Sequence, residues 1–475
     1  MSSNQFLSPM LTSGGDRRIV VPAGGNTNIY GASPFPRAVV GYGSSTANDI
    51  SFDAFAHLER TVADWPAHGL QDAAAYALAL EGMRGRLRAV WGLGGDIGIV
   101  FAPSGTDLEY IGLALAGGQA DAPVTNIVLG PDEVGSGCLL AAGGRFFASE
   151  TALVHRVRKG DAITGFGDVE GVALPLRDTA AQPLTSEGVA AALDAAIDNA
   201  RGRGRRAVAH VVHGSKTGLI LPDLAGVDTL LARHGSDLTV VVDACQARIE
   251  AEAIRAYLDR GCIVFVTGSK FIGGPPFSGI ALVPAALRPR KPLASGLGDV
   301  FRRGEWPFEW RQADGLPGGA NPGLLLRLEA AIFELERFAA LPLAKRDAVI
   351  AAFGGAVRSL VQRIDAGLVT PALASDGLHT ATLATIDLSR MPGGACYATA
   401  QRWQKVLAAR GLRLGQPVRC VRTPDGEWAG TLRISLSMPA IVARAQSDAA
   451  TLASGFAADM DRIASVIVAA RRRAA

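Results

Sequence analysis

The stretch from Thr239 to Gly279, TVVVDACQARIEAEAIRAYLDRGCIVFVTGSKFIGGPPFSG, constrains the fold more than any other part of the chain. Its two apolar runs, 238–243 and 262–267, are rich in β-branched residues and apolar at consecutive positions, the pattern of strands buried on both faces. The segment 248–259 between them reads as a helix. Strand, helix and strand in that order make a parallel unit with its helix packed on the sheet. The first strand ends in Asp243 and Lys270 stands at the exit of the second, so an acid and an amine arrive at the same sheet edge. In open α/β sheets that edge is where ligands bind.

The same alternation extends on both sides. Strands are predicted at 97–102, 125–130, 169–175 and 207–212, with helices at 72–87, 107–116, 137–143, 187–201 and 224–234 between them. The apolar run 279–284 follows Lys270 after a Gly-Pro loop with no room for a crossover helix, so it is predicted to run antiparallel. With 475 residues the chain is too long for one core. The fold class expected is α/β: a mostly parallel, doubly covered sheet over 69–320, a smaller α+β domain over 321–475, and an irregular arm over 1–68. The arm is rich in Gly, Pro, Ser and Asn with one helix at 51–64, and either drapes over the rest of the molecule or is mobile. Asn321-Pro322 is a good helix start for the amphipathic run that follows. Further helices are expected at 344–365, 397–411 and 442–470, with strands near 380–388 and 431–437.

Composition narrows the function classes. A net charge of +3 gives no support for nucleic acid or anionic membrane as partner. Five cysteines without a CxxC spacing argue against a disulfide scaffold or a zinc site and fit a reducing cytoplasm. The start of the chain lacks the pattern of a signal peptide, and no apolar run is long enough to span a membrane. GLGGDIG at 92–98 precedes a strand instead of opening a helix and has Ile97 where a dinucleotide loop needs glycine.

Four residue sets can carry chemistry. Asp243, costly to bury at a strand end unless paired, either caps the next helix or holds a ring nitrogen protonated. Gln246 lies close enough to reach the same ligand from the first turn of the following helix. Gly-Ser-Lys occurs twice, at 214–216 and 268–270. Lys270 leaves the strand next to the acid's own strand, whereas Lys216 sits in a turn before Pro222 and either faces solvent or lines the site. Pro103-Ser104-Gly105-Thr106 joins a strand to a helix, as phosphate-binding turns and ordinary Ser/Thr caps both do, and the hydroxyls of Thr267 and Ser269 can add to it. Arg433, on a predicted strand, fits either an α-carboxylate or a structural ion pair. An acid and a lysine so placed suit pyridoxal 5′-phosphate, with Asp243 at the pyridine nitrogen and Lys270 as the Schiff-base lysine.

Together PSGT, DACQ, TGSK and LRIS resemble the fold-type I pyridoxal-phosphate enzymes, and among them the class V aminotransferase group that includes cysteine desulfurases, selenocysteine lyases and kynureninases. The resemblance runs over roughly residues 70–440. It implies that Gly105 and Thr106 bind phosphate with Thr267 and Ser269, that Asp243 and Gln246 meet the ring, and that Lys270 carries the cofactor. It implies that Ser215, with His213 as the alternative, meets the cofactor, and that Arg433 takes the substrate carboxylate. Gly319-Ala320-Asn321 resembles a loop that reaches a neighbouring subunit's phosphate, implying a homodimer with shared sites. Two features depart from the pattern. Val134 stands where an aromatic ring usually stacks on the cofactor. Cys420 is close to the catalytic-cysteine position of desulfurases, but its segment alternates like a strand and reads as structural. The function expected is chemistry on a small α-amino acid, of aminotransferase type or, alternatively, decarboxylation, aldol-type or C–S lyase chemistry. A non-catalytic protein binding a phosphate ligand is the remaining reading.

Overall fold

A computed structural model of the chain describes residues 3–43, 48–63, 71–117, 122–369 and 380–472. Seven strands carry the large sheet: Gly98–Ala102 (β1), Val124–Leu129 (β2), Val169–Leu174 (β3), Arg206–His213 (β4), Leu238–Asp243 (β5), Ile263–Thr267 (β6) and Gly279–Val283 (β7). They lie in the order β1-β7-β6-β5-β4-β2-β3, and Ile220–Leu221 adds a two-residue strand against β4. β7 is antiparallel to both its neighbours, as the short Gly-Pro connection before it requires. The pairs among β2 to β6 are parallel. β1, β2, β6 and β7 are buried at every position and are mostly apolar, whereas β3 at the edge is partly exposed.

Helices cover the sheet where their apolar stripes require it. Ala73–Trp91, capped by Asp72, which accepts from Ala75 N, buries Tyr76, Leu80, Met83, Leu87 and Trp91 at helical spacing. Pro322–Ala339 is buried along almost its whole length, with Asn321 as its N-cap. Beyond it, Gly367–Val369, Leu383–Asp387 and Thr431–Ser435 form a separate antiparallel sheet with the helices Leu343–Arg363, Tyr397–Ala409 and Ala449–Arg472. No helix among the described residues is long and apolar enough to cross a membrane.

Two expectations fail here. The helix predicted over 442–470 is two helices, Met438–Arg444 and Ala449–Arg472. Asp448 accepts from Thr451 N and so starts a new helix where periodicity alone would run on. The segment around Cys420 is irregular with an isolated bridge between Arg422 and Trp428, not a strand.

The arm drapes over the molecule. It holds a helix, Ser3–Leu11, and its strand Val40–Tyr42 pairs in parallel with Leu412–Leu414. Arg327 of the buried helix is fully enclosed and donates to the carbonyls of Leu11, Ser13 and Gly14 on the arm and of Phe277 beyond β6. The arm runs so close to that helix that a Cβ on Gly323 would stand 2.2 Å from Ser13 O, an approach only glycine permits.

Candidate active site

The site is built at the carboxyl ends of β1, β5 and β6. β5 delivers Asp243, whose Oδ1 accepts from Cys245 N at 2.9 Å. That bond fixes the carboxylate and turns the chain away from the strand. Ala247 then adopts φ +58°, so the next helix starts at Ala251 and not at 248. Gln246 therefore stands in the loop before that helix and not on its first turn.

β6 ends at Thr267, and the chain folds through Gly268 and Ser269 to Lys270. Gly268 packs so tightly that a Cβ would lie 2.6 Å from Ala331 Cβ and from Ser278 Oγ. Lys270 itself takes φ +68°, a strained left-handed conformation for a residue with a side chain. Asn48 Nδ2 holds its carbonyl at 2.8 Å, and Phe271 N donates to Gln246 O at 3.4 Å, tying the lysine turn to the acid's loop.

β1 ends in the Ser104-Gly105-Thr106 turn before the helix Leu108–Gly117. Ser104 Oγ donates to Asp107 at 2.6 Å and accepts from Thr106 N and Asp107 N. Burial pushes the Asp107 carboxyl up to about 7. A Cβ on Gly105 would lie 2.8 Å from Thr267 Cγ2, so glycine is what lets the first and third strand ends meet.

These turns surround one cavity of about 280 Å³. Gly105, Thr106, Ser215, Asp243, Gln246, Thr267, Ser269, Lys270 and Arg433 all line it. Asn321 does not. Its Oδ1 accepts from Leu324 N and its Nδ2 donates to Gly14 O, so both polar atoms serve the helix cap and the arm. His213 also turns away from the cavity, edge-on to Tyr257. Ser215 reaches the wall, but its hydroxyl donates to Glu133 at 2.8 Å. Gln246 Oε1 accepts from Arg248, which leaves the amide nitrogen as its donor to the cavity. Thr267 Oγ1 donates to Cys245 O at 2.6 Å and keeps its acceptor capacity.

Arg433 comes from the separate antiparallel sheet. Its Nε donates to Gln416 O at 2.9 Å and its Nη1 to Lys216 O at 3.3 Å, both carbonyls and neither a carboxylate. Burial lowers its pKa. Val134 does face the cavity, and the aromatic side chains in the described lining are Tyr30 of the arm and Phe277.

Several lining residues lie outside the sequence motifs. Glu133 is 5% exposed and accepts from Ser215, Thr217 and Arg177. Arg18 pairs with Asp16 and lies over the rings of Phe147 and Phe277. Cys138 and Cys245 line the cavity, and burial pushes both thiols well above their ordinary range. Cys420 is buried outside the lining with its thiol pushed up to about 12 by burial. Behind Asp243, Glu109 Oε2 and His210 Nε2 approach to 3.4 Å, both enclosed and neither hydrogen-bonded among the described residues. Burial holds His210 down at about 4 and Glu109 well up.

The set fits pyridoxal 5′-phosphate on its chemistry. A helix-start turn with adjacent hydroxyls suits a phosphate, a strand-end carboxylate suits a protonated ring nitrogen, and a lysine amine at the same rim suits the aldehyde.

No family model and no curated protein matches the sequence. Solved structures do. The cysteine desulfurase CsdA from Escherichia coli superposes with a TM-score of 0.57 at 17% identity, covering 92% of this chain and 95% of that one. Pyridoxamine-pyruvate aminotransferase from Mesorhizobium loti gives 0.52 at 16% identity over 92% and 98%, and a NifS-like protein 0.54 at 15% over 90% and 99%. The chain thus has the fold-type I architecture that its motifs resemble, the fold common to these aminotransferases and desulfurases.

Proposed function

We propose that this protein is a pyridoxal-phosphate-dependent enzyme acting on a small α-amino acid, with aminotransferase-type chemistry. The observation that carries the reading is the convergence of Asp243, Lys270, the Ser104–Thr106 turn and Arg433, from four separated stretches, on one cavity. When bound, the cofactor supplies an electron sink that weakens the bonds at the amino acid's α-carbon. Lys270 Nζ is the point of covalent attachment and then moves the proton at that carbon. Asp243, oriented by Cys245 N, holds a proton at the ring nitrogen. Arg433, whose bonds go to the carbonyls of Gln416 and Lys216, orients the substrate's carboxylate.

Sulfur chemistry of the desulfurase kind needs a thiolate facing the substrate. Among the described residues the cavity's own thiols are held protonated and Cys420 is elsewhere, which weighs against that reading. The reading also has the chain act as a homodimer in the cytoplasm, and sedimentation of the purified protein tests the first of these.

The deciding experiment adds pyridoxal phosphate, records the absorbance band, reduces with borohydride and maps the modified peptide. Attachment at Lys270 that is abolished in Lys270→Ala, followed by formation of a keto acid and pyridoxamine phosphate from an amino-acid panel, is the expected result. A protein that acquires no band refutes the enzyme reading, and carbon dioxide or sulfide release in place of a keto acid refutes transamination.

A further inference from the structure

Lys216 enters the same cavity from the turn after β4. Its ammonium donates to Asp132 O at 3.0 Å, which occupies one of three protons. The neighbouring carboxylate, Glu133, is already saturated by Ser215, both polar atoms of Thr217, and Arg177. Arg433 binds the carbonyl of Lys216 itself, so the two cationic residues are fastened together at the rim.

The charges do not balance. The described lining holds Arg18, Lys216, Lys270 and Arg433 against two carboxylates, Glu133 and Asp243. Arg18 is matched by Asp16, and Glu133 by Arg177. The functional reading gives Lys270 and Arg433 their duties and leaves the cofactor's phosphate to the Ser104–Thr106 turn with Thr267 and Ser269. Lys216 is left as a half-buried ammonium beside two other cations, an arrangement that burial and like charge both disfavour until an anion joins it. Its pKa has fallen to about 8 for those reasons, burial first and then the charges of Arg433 and Lys270.

We propose that Lys216 binds a second acidic group, carried on the substrate's side chain, so that the preferred substrates are acidic α-amino acids. The inference rests on the functional reading above, since it presumes that Arg433 takes the α-carboxylate of an amino acid. It goes further in naming what the rest of the substrate carries and which residue recognises it.

The test uses full-length wild type, Lys216→Met and Lys216→Arg, each loaded with pyridoxal phosphate and checked for attachment by borohydride and mass spectrometry. Calorimetry then compares amine-free dicarboxylates, succinate and glutarate, with butyrate and valerate of matched length. Wild type is expected to bind the dicarboxylates roughly 10- to 100-fold more tightly, the range of one charge-assisted hydrogen bond. Lys216→Met loses that preference, and Lys216→Arg keeps most of it. No preference in wild type, an undiminished preference in Lys216→Met, or equal weakening of both ligand classes each overturns the proposal. The last outcome would place Lys216 on the carboxylate that all four ligands share. A protein on which the cofactor never attaches sinks the functional reading itself, whereas a loaded protein without the dicarboxylate preference sinks only this inference.

Discussion

Removing the charge of Arg327 tests whether the arm is part of the cavity's structure. The guanidinium is fully buried, and the bonds it makes go to carbonyls: Phe277 O at 2.8 Å from Nε, Leu11 O and Ser13 O from Nη1, and Gly14 O at 2.8 Å from Nη2. Burial brings its pKa down to about 9, so it is still a cation at neutral pH. Arg327→Met keeps the apolar stem and deletes the three bonds that hold the arm. Bonds to a charged group are worth about 1.5–3 kcal/mol each, and relief of the buried charge offsets part of the loss, leaving about 2–3 kcal/mol. That corresponds to a roughly 30- to 150-fold rise in the population with the arm undocked. Native-state hydrogen exchange reads it directly: amides of the Ser3–Leu11 helix should exchange faster by that factor while those of β5 and β6 do not. Because the arm supplies Arg18 and Tyr30 to the cavity wall, pyridoxal phosphate should also bind more weakly, although every residue around β5 and β6 is intact. Arm exchange within about twofold of wild type would show that these bonds do not anchor it. Equal acceleration in arm and sheet would show that the arm does not open as a separate unit.

Two further outcomes are expected. Gly105→Ala drives a methyl to 2.8 Å from Thr267 Cγ2, and Thr267 is held in place by its bond to Cys245 O. Overpacking of about 1–3 kcal/mol should then appear as weaker binding in a pyridoxal-phosphate titration, and unchanged affinity would refute the close-approach argument. The Glu109–His210 pair predicts opposite pH slopes. His210, held at about 4 against an ordinary 6.5, contributes stability that is complete above 6.5 and lost as pH falls toward 4. Glu109, held above its ordinary 4.5, contributes stability that is complete below 4.5 and lost as pH rises. Between 4.5 and 6.5 the two nearly cancel at about 1.4 kcal/mol per pH unit each, so acidification should destabilise Glu109→Gln and stabilise His210→Gln in denaturant titrations. Slopes of the same sign in both variants refute the neutral pair.

What could be read from the sequence is what depends on near neighbours in the chain. Consecutive apolar positions gave the buried strands, the short Gly-Pro connection gave the reversed β7, and Asn321-Pro322 before a periodic run gave the start of the buried helix. Asp243, Lys270 and the Ser104–Thr106 turn were legible because they occupy strand ends, and strand ends were predictable. Partners distant in the chain leave no such mark. Val40–Tyr42 pairs with Leu412–Leu414 across most of the sequence, and neither segment is long or apolar enough to announce itself. Ser215 lines the cavity, but nothing local indicates that its hydroxyl donates to Glu133.

The two Gly-Ser-Lys motifs show where such reading stops. Both follow apolar strands and both lysines reach the cavity, so strand position points to Lys270 for attachment but does not say what Lys216 does. The third dimension does. Lys270 is locked by a left-handed backbone, by the packing of Gly268 on Ala331, and by Asn48, and it lines the cavity together with Asp243. Lys216 is held instead through Asp132 O and beside Arg433, on the wall formed with the antiparallel sheet. A lysine on a rigid turn in the acid's own cavity suits covalent attachment. An amine fixed next to a second cation suits recognition, because that surrounding penalises its charge until an anion arrives. On the functions proposed for them, the difference between an attaching and a selecting lysine lies in the neighbours that the fold assembles around each, not in the motif that contains them.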